Sequence, residues 1–221
     1  EKIKGVAQEI TGSLGTLKTA YDLSAPFRQG LVLSIRKPGA FKNAFKEMFK
    51  QGFDAKKYEK WIDDFNHSPN YHIFEKAGVH ITDINKAKKL TDREEGFQSS
   101  LVHKIPGVKT SERAFTAYLN TLRVGAFSDY IALLEEQGIT IENHPAEYKN
   151  FAKIVNAGSG RGSLGSLEKH IDLLSTVYWS PKLIASRLNI LNPAWYYNMK
   201  DTPHAQKEAV KTLLQFAGVV S

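Results

Sequence analysis

Gly160-Arg161-Gly162-Ser163-Leu164-Gly165 has the spacing G-x-G-x-x-G. In a dinucleotide fold, that spacing lets a turn after a strand deliver backbone amides and a helix N-terminus to a pyrophosphate. The chemistry needs the strand, and Tyr148 to Val155 just upstream has a helical pattern instead. No acidic residue stands at 182–186 to hold a ribose, and Ser163 follows Gly162 where a Walker loop would place its lysine. The stretch 158–166 is therefore expected to be an interhelical loop that binds no nucleotide, with Arg161 reaching carbonyls or a neighbouring carboxylate.

Other chemistry is no better supplied. The seven histidines, at 67, 72, 80, 103, 144, 170 and 204, make no i, i+4 pair and no His-Glu-x-x-His, so no metal site is expected. The acidic pairs Asp63-Asp64, Glu94-Glu95 and Glu135-Glu136 are adjacent in sequence, and on a helix adjacent residues face different ways. There is no cysteine, which excludes disulfides, thiol catalysis and thiolate metal sites. No catalytic residue, metal ligand or cofactor is assigned, and nothing in the sequence argues for an enzyme.

The elements that carry these residues read as helices. The 221 residues are 42% hydrophobic and 24% charged, ordinary values for a globular chain of one domain or two small ones. Ile3, Val6, Ala7, Ile10, Leu14, Leu17 and Tyr21 recur at helical spacing in a first helix weakened by Gly5, Gly12 and Gly15. Further helices are expected near 25–34, from Pro38 to about Gln51, and near 55–65. A long helix should run from an N-cap at Ser111 to about 137, about 40 Å at ~1.5 Å per residue. Helices near 145–156, 166–177, 181–190 and 203–217 follow, the later ones separated by Pro181, Pro193 and Pro203. No stretch sustains period-two alternation. The fold expected is mainly α, an irregular multi-helix assembly with little or no sheet. It divides into a basic amphipathic region (1–65), an irregular or short-helical connecting region (66–109) and a helical region (110–221).

The formal charge is +7, and the excess lies at the front: residues 1–60 hold 12 basic and 6 acidic side chains. Such a field favours nucleic acid, anionic lipid or an acidic protein, or it is simply a solvated lysine-rich face. In the helix after Pro38, Lys42, Lys46 and Lys50 form an i, i+4, i+8 ladder, with Phe41, Phe45 and Phe49 expected to turn to the core. With Arg36 and Lys37, these lysines are the candidate nucleic-acid contacts. The candidate interface residues are apolar: Ile3, Ile10 and Leu17 on the first helix, and Tyr178, Trp179, Trp195 and Tyr196 in an aromatic-rich stretch. That stretch has the composition of a core with an amphipathic rim, of a base-stacking surface, or of a lipid-interface belt. The longest aliphatic run, Leu31 to Ile35, is far too short to cross a membrane, and no transmembrane span is expected.

Several stretches of the second half carry a resemblance. Ser111-Glu112-Arg113-Ala114-Phe115, followed by Tyr118-Leu119-Asn120-Thr121-Leu122-Arg123, resembles a helix of the large polyvalent proteins of tailed phages and mobile elements. Val155 to Gly162, with Gly160, Arg161 and Gly162, is similar too, as are Ser180-Pro181 through Arg187 and Lys207 to Leu214. Lys182 stands where that pattern has arginine, which puts any arginine-specific role there in doubt. The resemblance spans roughly residues 22–221 and implies a helical region of a very long chain, with which a start at Glu1 agrees. It carries no catalytic residue into this segment.

The function this implies is that of a non-enzymatic segment of an internal virion protein, held in the particle interior and delivered into the bacterial cell with the genome. Its expected partners are portal, tail or other ejection proteins and copies of itself, with non-specific DNA contact as a further possibility. The alternatives are a basic module that contacts packaged DNA, and an accessory region of a giant virion enzyme such as a virion RNA polymerase.

Overall fold

A computed structural model describes residues 25–86, 107–165, 170 and 180–218, and among the described residues there are nine helices and no strand. In chain order these are α1 (Ala25–Arg36), α2 (Pro38–Gly52), α3 (Ala55–Asn66), α4 (Tyr71–Ala77), α5 (Val108–Glu135), α6 (Pro145–Gly158), α7 (Pro181–Leu191), α8 (Pro193–Tyr197) and α9 (Pro203–Phe216). The fold is mainly α. The helix expected over residues 3–21 and the one expected near 166–177 lie outside the described residues.

Proline sets most of the starts. Pro38, Pro145, Pro181, Pro193 and Pro203 each open a helix, where the missing N–H costs nothing and the fixed φ is already helical. Asp54 opens α3 differently, its carboxylate accepting the N–H groups of Lys56 and Lys57 at 3.1 and 3.2 Å.

α5 is the spine of the molecule. Its 28 residues make it about 42 Å long, and it is buried on nearly every side. Phe115, Tyr118, Leu122, Phe127, Tyr130 and Leu134 all lie within its core surface. The start differs from the sequence expectation. Ser111 is not the cap: the helix begins a turn earlier, after Gly107, because fully buried Val108 extends the apolar face upstream, and the Ser111 N–H bonds to the Gly107 carbonyl at 2.9 Å.

α2 lies along α5 at very short range. A Cβ added at Gly52 would stand 2.5 Å from the Cβ of Ala114, so this crossing admits glycine and little else. The face that α2 turns inward is correspondingly small and flexible: Ala44, Met48, Gln51 and Gly52. This corrects the expectation for the phenylalanines. Phe41 packs against the core, but Phe45 and Phe49 are 40% and 46% exposed. An i, i+4 repeat advances about 40° per step around a 3.6-residue helix, so when Phe41 faces the core Phe45 and Phe49 turn progressively outward.

One buried cluster draws on α1 through α6 and on α9, and includes Leu33, Met48, Phe65, Phe74, Phe127, Phe151 and Ala209. Within it Phe65, Phe74 and Phe127 stack edge to face with centroids 5.2 and 5.0 Å apart. α1 is tied to α9 by an ion pair between Arg36 and Glu208, whose carboxylate also accepts a hydrogen bond from Lys211 at 2.9 Å. Burial pushes the Glu208 carboxyl up, but the hydrogen bonds and charges of Lys211 and Arg36 outweigh it and hold the group below its ordinary value. A carboxyl lowered in the folded state stabilises above its unfolded pKa, and that stability is lost as pH falls through the folded one. Glu208→Gln should therefore cost about 1–3 kcal/mol at neutral pH. In thermal melts of both proteins across the acid range, the gap should shrink steadily below about pH 4. A gap of constant size would mean that the pair contributes shape and not charge.

Candidate functional site: a polar junction and the cleft beside it

Residues of three of the stretches singled out in the sequence meet at one junction through Arg123, Ser159 and Gly162. Arg123 of α5 is fully buried, and its Nε donates to the Ser159 hydroxyl at 2.8 Å just past the end of α6. The Ser159 hydroxyl in turn donates to the Asn156 carbonyl at 3.1 Å. Arg161 follows, itself buried, its backbone N–H bonded to the same carbonyl at 2.8 Å. Then Gly162 passes against α7, its N–H donating to the Lys182 carbonyl at 3.0 Å. A Cβ there would stand 2.0 Å from the backbone nitrogen of Ser186 and 2.4 Å from the carbonyl carbon of Ala185. Both obstacles are backbone and cannot swing aside. Gly160 has φ +84° and lies against Gln29 and Leu183. Gly160 and Gly162 of the dinucleotide-like spacing therefore serve helix packing, while Gly165 has nothing within 4 Å of an added carbon, and the segment before them is a helix, α6, as its sequence pattern implies.

Two asparagines clamp a non-helical run that the sequence left undefined. Asn120 on α5 both accepts the Thr82 N–H at 3.0 Å and donates to the Thr82 carbonyl at 2.7 Å. Asn156 on α6 accepts from the His80 N–H at 2.9 Å and donates to the Gly78 carbonyl, also at 2.9 Å. The Tyr58 hydroxyl adds a third hold, donating to the Thr82 carbonyl at 3.0 Å. An amide that both donates and accepts replaces the ladder partner that a peptide lacks outside a sheet.

The other polar residues of these stretches are structural as well. Arg113 donates to the Gly52 carbonyl at 3.2 Å and so closes the end of α2. Ser111 lies in the first turn of α5, and Glu112 is buried beside it. Ser180 and buried Pro181 open α7. Arg187, farther along α7, is half-buried, and desolvation pulls its guanidinium below its ordinary pKa.

Beside the junction lies a cleft of about 790 Å³, lined in part by His80, Lys153, Arg161, Lys182, Asn189 and Trp195. Its wall is fixed by polar contacts: Lys153 donates to Asn150 at 2.8 Å, and the Ser163 N–H donates to Asn189 at 2.9 Å. Such a lining offers positive charge and amide groups. The lining also includes Ser163, whose hydroxyl accepts the Gly165 N–H at 3.1 Å. Among the described residues no group of three or more His, Asp or Glu is placed to hold a metal ion.

The candidate nucleic-acid residues divide into two sets. Arg36 pairs with Glu208, while Lys37 pairs with Asp129 at 3.3 Å and lies over the Tyr130 ring, 4.3 Å from its centre. Those two hold helices together. Lys42, Lys46 and Lys50 are exposed on α2, and among the described residues only Lys50 makes an ion pair, with Glu47 at 3.2 Å. Of the candidate interface residues, Trp195 and Tyr196 are half-buried, packed against the core and against each other at 5.3 Å. Ile3, Ile10, Leu17, Tyr178 and Trp179 lie outside the described residues. Among the described residues no helix is long and apolar enough to cross a membrane.

The fold and site thus define a mainly helical chain whose buried polar residues fix helix packing. Compared with protein-family models, with curated proteins and with solved structures, it matches none.

The junction makes a sharp distinction between glycines. Gly162→Ala should cost about 3 kcal/mol or more, because α6 and α7 must separate to admit the methyl group. Gly39→Ala, on α2 with nothing within 4 Å of its added carbon, should be neutral or stabilising by up to about 1 kcal/mol. Denaturant titrations of the two variants measure both, and equal stabilities would remove the close approach from the account.

Proposed function

We propose that this chain is a non-enzymatic helical segment of an internal virion protein of a tailed phage or related mobile element. It is carried inside the particle, leaves with the genome, and docks at the portal or tail or forms part of the ejection conduit. One observation carries the reading. Residues of the resembling stretches around 111–123, 155–162 and 180–187, far apart in the chain, meet around Arg123, Ser159, Gly162 and Ser186. A resemblance that follows a three-dimensional contact set supports shared architecture better than a scatter of matching letters. The polar groups of that set bind backbone or pack helices, which supports a scaffold role over a catalytic one.

The test is physical location. Particles produced by the element that encodes the chain, purified and treated with protease outside, should retain its peptides in mass spectrometry, and cross-linking should join them to portal or tail subunits. Peptides found only in the infected-cell lysate would defeat the proposal.

A second reading, a basic module that touches packaged DNA, is favoured by Lys42 and Lys46, exposed cations with no ion pair among the described residues. If it holds, changing Lys42, Lys46 and Lys50 to Glu should weaken DNA binding and reduce the slope of log affinity against log salt by about 3. Unchanged binding and slope would leave these lysines as solvating charges.

A further inference from the structure

The exposed side of α2 combines two features that are rarely found together. Phe49 is 46% exposed. The helix then continues its hydrogen bonding one residue past its end, with the Phe53 N–H reaching the Phe49 carbonyl at 3.4 Å. Phe53 therefore lies one turn beyond Phe49 on the same side, and it is 74% exposed. Alongside run Lys42, Lys46 and Lys50, also spaced by one turn and all exposed. On the preceding helix, Leu31 and Ile35 are exposed at 43% and 47%.

We propose that this face of α2 rests on an anionic lipid surface, with Phe49 and Phe53 entering the headgroup boundary and Lys42, Lys46 and Lys50 meeting the lipid charge. The combination selects this partner. Contacts to a DNA backbone use cations and hydrogen-bond donors and gain little from bare rings. Single-strand binders do stack bases on aromatic groups, but within a basic groove, whereas Phe49 and Phe53 stand exposed on the same side of one helix as its lysine ladder. Protein interfaces enrich phenylalanine but deplete lysine. A charged membrane surface rewards both, binding apolar groups at the boundary and attracting each nearby lysine. The binding is peripheral, consistent with the lack of a spanning helix among the described residues.

The inference does not rest on the virion reading; a chain found in particles that ignores vesicles would defeat this proposal and leave that one standing. The experiment is co-sedimentation of the full chain with phosphatidylcholine vesicles, with and without about a third phosphatidylserine. Binding should require the anionic lipid. It should fall about fivefold for each lysine among Lys42, Lys46 and Lys50 changed to Gln, and at least tenfold for Phe49→Ser with Phe53→Ser. These side chains are exposed, so the variants should melt like the parent, which separates lost binding from lost folding. Failure to bind anionic vesicles overturns the proposal. So does binding that needs the lysines but is indifferent to the two phenylalanines, which points to a polyanion surface such as DNA. A vesicle-independent dimer in light scattering, abolished by the Phe changes, would also overturn it and assign the face to a second copy.

Discussion

A guanidinium buried completely inside a helical core must be met by acceptors, because an unmatched charge in that setting costs several kcal/mol. Arg123 is that group, and the arrangement around it follows from the requirement. It stands midway along α5, so its acceptors have to be brought to the middle of the spine. Ser159 supplies its hydroxyl and, at 3.4 Å, its carbonyl. These lie just beyond α6, which must therefore end where it does. The chain then turns through Gly160 to Gly162 and meets α7 backbone to backbone. Replacing the arginine by an apolar residue would remove the demand. Keeping it ties three elements to one register.

The same economy of space governs the other side of the spine. α2 approaches α5 through Gly52 and Ala114, and Ala40 faces Gly125 across the same contact, where an added Cβ would lie at 3.1 Å. Away from that closest point the two helices still pack ring on ring, Phe41 against Tyr118 at 6.4 Å. The phenylalanines recur every four residues, so each turns about 40° farther from the core, and the helix presents phenylalanine and lysine to the outside together.

Much of this was legible in the sequence. Four helix starts, at Pro38, Pro145, Pro181 and Pro203, follow from proline, and the α5 spine follows from its unbroken apolar spacing. The short helix α4 and the five-residue α8 did not stand out, since one or two turns give too few repeats for a period to show. The amide clamps were hidden for a different reason. Asn120 and Asn156 reach backbone 38 and 76 residues away, and nothing local marks an asparagine in a helix as the partner of a distant peptide. The ladder of lysines on α2 was readable from spacing, whereas the expectation that Phe45 and Phe49 share the core with Phe41 overlooked the drift of about 40° per step in an i, i+4 repeat. The role of the glycine-rich loop was readable only as a negative: the absence of a preceding strand argued against a phosphate cradle, while the contact with α7 needed the third dimension.

The central claim is that Arg123 and Ser159 act as one unit that fixes the helical scaffold. A double-mutant cycle tests it most directly: Arg123→Met, Ser159→Ala and the double variant, each measured by denaturant unfolding of the full chain. The account predicts a coupling energy of about 1–3 kcal/mol, with the double variant less destabilised than the two single changes added together. Additive losses, within about 0.5 kcal/mol, would show that the two residues contribute independently and would contradict the claim.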